Sequence, residues 1–229
     1  MANQKNHKEQ LNVEDALTQS EAFIVKHQKL LIGAIIGIIV IVAAVLLYKN
    51  MYAEPREIKA QTALYPGQLY FEQDDFDVAL NGDSLGFVGF LNVANSYSGT
   101  KAGKLAHAYA GLSYMHLGDY QNAVSHLDKF NGNDQMVGPA ILGAIGNSYA
   151  EMGQFDKAVS YLIKGADKAD SHSLSPILLL QAGQIYVHLE KYDDAIKAYT
   201  KIKDKYFNSI QASEIDKYIE QANLLKGTK

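Results

Sequence analysis

The chain has 229 residues, with 21 Lys and Arg against 25 Asp and Glu, a formal net charge of −4 and no cysteine. Zero cysteine excludes disulfides, thiolate nucleophiles and Cys-ligated metals, and without a basic stripe there is nothing to grip a nucleic-acid phosphate backbone. The 175 residues from Pro55 onward suffice for one domain with a sizeable core.

The first 29 residues form a polar tail. From Asn12 to Lys29 the pattern predicts a helix, with Asn12 as N-cap, acids in its first turn, and Leu17, Phe23 and Ile24 apolar. Leu30 to Leu47 then contains no polar side chain and is bracketed by Lys29 and Lys49. At ~1.5 Å per residue the run reaches ~27 Å, enough to cross a bilayer with its backbone bonds satisfied internally. A transmembrane helix over 30–48 is expected, with Tyr48 and Tyr52 at the interface. The tail is too long and too acidic (Glu9, Glu14, Asp15, Glu21) for a cleaved signal, and LYKNMYAEP offers no convincing cleavage site. No cysteine follows, which excludes a lipoprotein anchor. Lys26 and Lys29 before the span and Lys49, Arg56 and Lys59 after it leave the orientation open. Gly33 and Gly37 form a small-xxx-small pair through which two copies can associate, or a partner's span can dock.

Across 55–103 the sequence predicts helices over Glu57 to Phe71, Phe76 to Leu80 and Ser84 to Tyr97. Pro66 is expected to disturb the first, and Asn81-Gly82 to stop the second early. From 104 to 207 an internal repeat dominates. Its landmarks are Gly111, Tyr114, Gly118, Tyr120 and Ala123; then Gly146, Tyr149, Gly153, Phe155 and Ala158; then Gly183, Tyr186, Glu190, Tyr192 and Ala195. The successive offsets are 35 and 37 residues. A weaker copy reads Gly67, Tyr70, Asp74, Phe76 and Ala79. An amphipathic helix, 209–226, follows, with Ile215, Tyr218, Ile219 and Ala222 on one face. Such a helix caps the last apolar face of a solenoid.

This spacing describes a helical hairpin. A small residue in the first helix faces a small residue in the second, so the backbones approach closely, and the tyrosine fills the angle between hairpins. Gly118 and Gly153 suit the left-handed conformation that ends a helix, and Glu190 replaces that glycine at a cost of ~1 kcal/mol. Pro139 and Pro176 fall near starts of first helices, where a missing N–H costs nothing. These residues read as packing residues without a chemical role.

The repeats resemble tetratricopeptide repeats. They depart from that pattern where His107, Leu142 and Leu179 replace the usual Trp, and where Gln135, Asp170 and Phe207 replace the usual Pro. The implied fold is all-α: a single N-terminal transmembrane helix, a degenerate hairpin region, three repeats and a C-terminal capping helix. That order of parts resembles a bacterial family of membrane-anchored tetratricopeptide proteins that includes the ancillary subunit of the Sec translocon. The resemblance implies an inner-membrane protein with a cytoplasmic N-terminus and a periplasmic repeat domain. Its role would be that of a scaffold or chaperone-like adaptor for export, with translocon subunits, periplasmic chaperones or exported clients as partners. The same hairpins would also serve a scaffold in envelope assembly or cell division, or a cytosol-facing docking receptor.

Signals for catalysis are weak. The seven histidines show no i, i+4 pair and no HExxH, and no GxxxxGK[ST] or GxSxG appears. No enzyme activity, cofactor or metal is expected. In the tetratricopeptide register Met115, His116, Asn147, Glu151, Gln184 and His188 lie on the wall of first helices, where an extended peptide or partner helix would bind. As exposed residues, His116, Asn147, Glu151 and His188 should be replaceable together with little change in melting temperature.

Overall fold

A computed structural model describes residues 2–132 and 134–228, and for 2–20 the backbone alone. Among the described residues the regular structure is entirely helical. Two compact units are present, Met1–Pro55 and Arg56–Lys229.

The first unit consists mainly of helix α1, Ala2–Tyr48, followed by a π-helical turn at Lys49–Ala53. The helix begins well before Asn12, which therefore does not cap it; residues 2–11 contain no glycine or proline to prevent propagation. The tail side chains, Glu9, Glu14, Asp15 and Leu17 among them, lie outside the described residues. The apolar run is unburied throughout, and Ile38 and Val45 are 61% and 60% exposed. By length and composition the helix is long and apolar enough to cross a membrane. Gly33 and Gly37 likewise have open space where a Cβ would sit.

The second unit is a row of helical hairpins: α2 (Glu54–Glu72) with α3 (Phe76–Asn81), α5 (Lys101–His116) with α6 (Tyr120–Leu127), α7 (Val137–Glu151) with α8 (Phe155–Ala169), and α9 (Ser175–His188) with α10 (Tyr192–Lys205). Helix α4 (Phe90–Ser96) lies between the first two hairpins in sequence. Helix α11 (Ile215–Gly227) buries Ile215 and Ala222 in the apolar cluster of the last hairpin.

The small residues act as expected. A Cβ on Gly111 would lie 2.6 Å from Leu127 Cγ, and one on Gly146 would lie 2.8 Å from Leu162 Cγ and 3.0 Å from the Ala158 carbonyl oxygen. In the last hairpin the ring of Tyr199, 1% exposed, takes the same place against Gly183.

The hairpin turns repeat four times with one geometry. Asp74, Gly118, Gly153 and Glu190 all have positive φ (60°, 79°, 70° and 58°). In each, the next amide donates back to the tyrosine carbonyl: Asp75 to Tyr70, Asp119 to Tyr114, Gln154 to Tyr149 and Lys191 to Tyr186. These bonds satisfy carbonyls that a helix end leaves unpaired. The degenerate first copy thus retains the turn of the other three.

Two expectations fail in that first copy. Pro66 lies inside an unbroken α2, and Thr62, whose carbonyl it cannot bond, is exposed to water. The helix expected from Ser84 begins only at Phe90. Residues 82–89 instead form a tight loop in which Gly82 and Gly89 have φ of 92° and 83°. A Cβ on Gly82 would fall 2.2 Å from the Phe87 oxygen, and one on Gly89 would fall 2.3 Å from the Leu80 oxygen. The Asp83 carboxylate accepts from the Tyr70 hydroxyl and from the Leu85 and Phe87 amides. These bonds, Tyr70's foremost, hold its pKa below the usual carboxylate value. Because α3 ends early, Phe87 and Phe90 fill the space beside Gly67 that Leu127 fills beside Gly111.

Between α2 and its neighbours, the Glu57 carboxylate accepts from the Lys101 and Ala102 amides at 2.7 and 3.0 Å, capping α5. Arg56 donates to the Ser96 carbonyl at the end of α4, 2.9 Å away. An acid at a helix start and a base at a helix end each match the helix dipole.

Candidate functional site

The structure separates the six wall residues. Met115, Asn147 and Glu151 come together around a cavity of about 380 Å³, completed by Tyr120, Ala150 and Gln181. Its lining comes from three first helices, α5, α7 and α9, and from the first residue of α6. Gln184 is exposed and does not line it.

His116 and His188, which do not line the cavity, pack against aromatic rings of neighbouring hairpins. The His116 ring stacks on Phe76, the first residue of the preceding hairpin's second helix, with centroids 4.2 Å apart. His188 meets Phe155, the equivalent residue two junctions further on, edge to face at 4.6 Å. Both therefore hold hairpin to hairpin, and the expectation that they can be replaced without effect on stability is withdrawn. At the middle junction the same register position is Glu151 and its aromatic counterpart is Tyr120; both line the cavity. The cavity lies at the junction whose register position holds Glu151 in place of a histidine.

Sequence reading missed Gln181, Tyr120 and Ala150. Gln181 lies three residues before Gln184, one turn away on the same helical face. Tyr120 is the repeat's own aromatic landmark, read only as packing. The Gln181 Oε1 atom is buried and has no hydrogen-bond partner. The Glu151 carboxylate has no hydrogen bond or ion pair among the described residues.

A larger groove of about 630 Å³ runs along α8 and α10. Both Asp156 and Asp167 in its lining are paired, Asp156 with Lys191 at 2.7 Å and Asp167 with Lys201. Further Lys–Asp pairs join Lys205 to Asp170 and Lys226 to Asp193. These are exposed pairs, most of them between α8 and α10, each contributing little. Among the described residues no three His, Asp or Glu side chains gather to hold a metal ion.

Residues 144–207 match the tetratricopeptide repeat family model. The fold is a tetratricopeptide-type solenoid. Solved structures similar to this solenoid include the crystal structure of MamA, with a TM-score of 0.50 and 18% identity over 71% of this chain and 95% of that one. Another is a crystal structure of a putative kinesin light chain from Podospora anserina with nearly identical TPR-like repeats. Its TM-score is 0.56, with 12% identity over 76% of this chain and 89% of that one. At such identities the likeness concerns the fold. A comparison with curated protein sequences returns no match. Tetratricopeptide solenoids are protein-interaction scaffolds and are typically non-catalytic, and the cavity described above lies on the first-helix face of this one.

Proposed function

We propose that this protein is a membrane-anchored adaptor whose tetratricopeptide solenoid docks partner proteins on its first-helix face during protein export at the Sec translocon. The observation that carries the reading is the unburied apolar run of α1 in the same chain as an interaction solenoid. An anchor raises the local concentration of the docking domain, so modest contacts at the solenoid suffice. A periplasmic solenoid and a cytoplasmic tail follow from the resemblance to the ancillary translocon subunit.

Three measurements test the proposal. Carbonate extraction should leave the chain in the membrane pellet, and mass spectrometry should find no N-terminus beyond Leu46. Added protease should cut the solenoid in osmotically opened cells but not in intact ones. Crosslinking followed by pulldown from membranes should recover translocon subunits or periplasmic chaperones. Recovery of division or envelope-assembly proteins alone would replace the export role with a different scaffold role, and cleavage only after lysis would turn the solenoid to the cytosol.

A further inference from the structure

We infer that the cavity at the middle hairpin junction is a subsite for a basic side chain, lysine or arginine, of an extended partner peptide. The inference rests on the reading of the first-helix face as the docking surface. Its warrant is the chemistry of the lining. Met115, Ala150 and the Tyr120 ring offer apolar surface along which an aliphatic stem packs, and the tyrosine face also attracts a cation. Glu151 supplies the one charge in the lining, and no Lys or Arg lines the cavity to neutralise it. The unpartnered Gln181 Oε1 is a buried acceptor that a donor from outside would satisfy. Asn147 adds a side-chain amide that can both donate to and accept from a peptide backbone. An anionic or purely apolar occupant would leave both Glu151 and Gln181 unmatched.

The register sets this junction apart from its neighbours. His116 and His188 pack against Phe76 and Phe155 at the flanking junctions. Glu151, in the same position beside Tyr120, leaves the space open. At about 380 Å³ the cavity falls within the about 300–1,000 Å³ range of ligand clefts.

The test uses the full chain in detergent micelles and labelled, end-blocked heptapeptide libraries, each with one fixed central residue and random flanks. Libraries fixed as Lys or Arg should bind about tenfold tighter than those fixed as norleucine, acetyl-lysine or Glu, and the preference should weaken as salt rises. Glu151→Gln should bring the Lys and norleucine libraries to equal affinity while keeping the norleucine value. Glu151→His, which restores the neighbours' residue, should close the cavity and weaken every library. Equal binding of Lys and norleucine to the parent, or a Lys preference that survives Glu151→Gln, would overturn the basic subsite and leave the docking face standing. Absence of binding by every library, or binding unaffected by Ala150→Trp, would overturn both. Unchanged melting of Glu151→Gln provides the folding control.

Discussion

The His116 imidazole lies flat on the Phe76 ring, with centroids 4.2 Å apart and planes inclined by 7°. That contact joins the first hairpin to the second across 40 residues of chain, although His116 is exposed. Ring pairs of this kind contribute about 0.5–1.5 kcal/mol beyond area burial. His116→Ala should therefore lower the unfolding free energy by about 1 kcal/mol, and His188→Ala should do the same. Asn147→Ala, with no such contact, should change it by less than about 0.5 kcal/mol. Urea denaturation followed by circular dichroism decides; an unshifted midpoint in both histidine variants would remove the stacks as structural contacts.

Close approach of helices within a hairpin gives a sharper test. Gly146→Leu forces a branched side chain onto Leu162 and the Ala158 carbonyl, and should cost about 1–3 kcal/mol. Even Gly183→Ala should be costly, because its Cβ would lie 2.2 Å from Tyr199 Cε1 and that ring is fully packed. Tolerance of both substitutions in the same denaturation assay would refute the register.

The turn glycines separate conformation from packing. Around Gly118 and Gly153 a Cβ would meet nothing within 4 Å, yet both have positive φ. Gly118→Ala and Gly153→Ala should each destabilise by about 1 kcal/mol through backbone strain alone. The expected signature is a lower urea midpoint with unchanged slope. Stabilisation by either alanine would show that the left-handed turn relaxes.

A pH dependence follows from two histidines the sequence kept 19 residues apart. His107 and His126 meet between α5 and α6 with Nδ1 atoms 3.2 Å apart. Burial first, then His107 and Lys129, pushes the His126 imidazole down to about 4, and burial with Lys129 lowers His107 as well. In the unfolded chain both take up protons near pH ~6.5. Between that pH and about 4 the unfolded state binds more protons, so stability is complete above the unfolded pKa and is lost as pH falls through the window. The loss should be about 1–2 kcal/mol, since the half-buried rings retain part of their solvation. Denaturation midpoints measured from about pH 7.5 down to pH 5 should fall in the parent and fall less in His126→Phe. Parallel decline in both proteins would assign the effect to other groups.

Local rules made much of this molecule legible before any contact was known. The apolar run from Leu30 to Leu47 needs no partner to declare itself, and the hairpins follow from apolar period, turn glycines and small residues at constant spacing. Even the weak first copy kept its Asp74 turn, because the sterics of a positive φ are a property of one residue and its neighbours. What a single strand of sequence could not order were contacts made at long separation. The loop at 82–89 replaces an expected helix because Gly82 and Gly89 pass within touching distance of Phe87 and Leu80. Glu57 reaches the start of α5 from 44 residues away, and His107 finds His126 only once two helices pack. The same cause decided the candidate site: helical register placed six residues on one face, but ring contacts with Phe76 and Phe155 took two of them into the junctions. Only tertiary packing left Met115, Asn147 and Glu151 around an open cavity, because which side chains remain free depends on what the neighbouring hairpin presents to them.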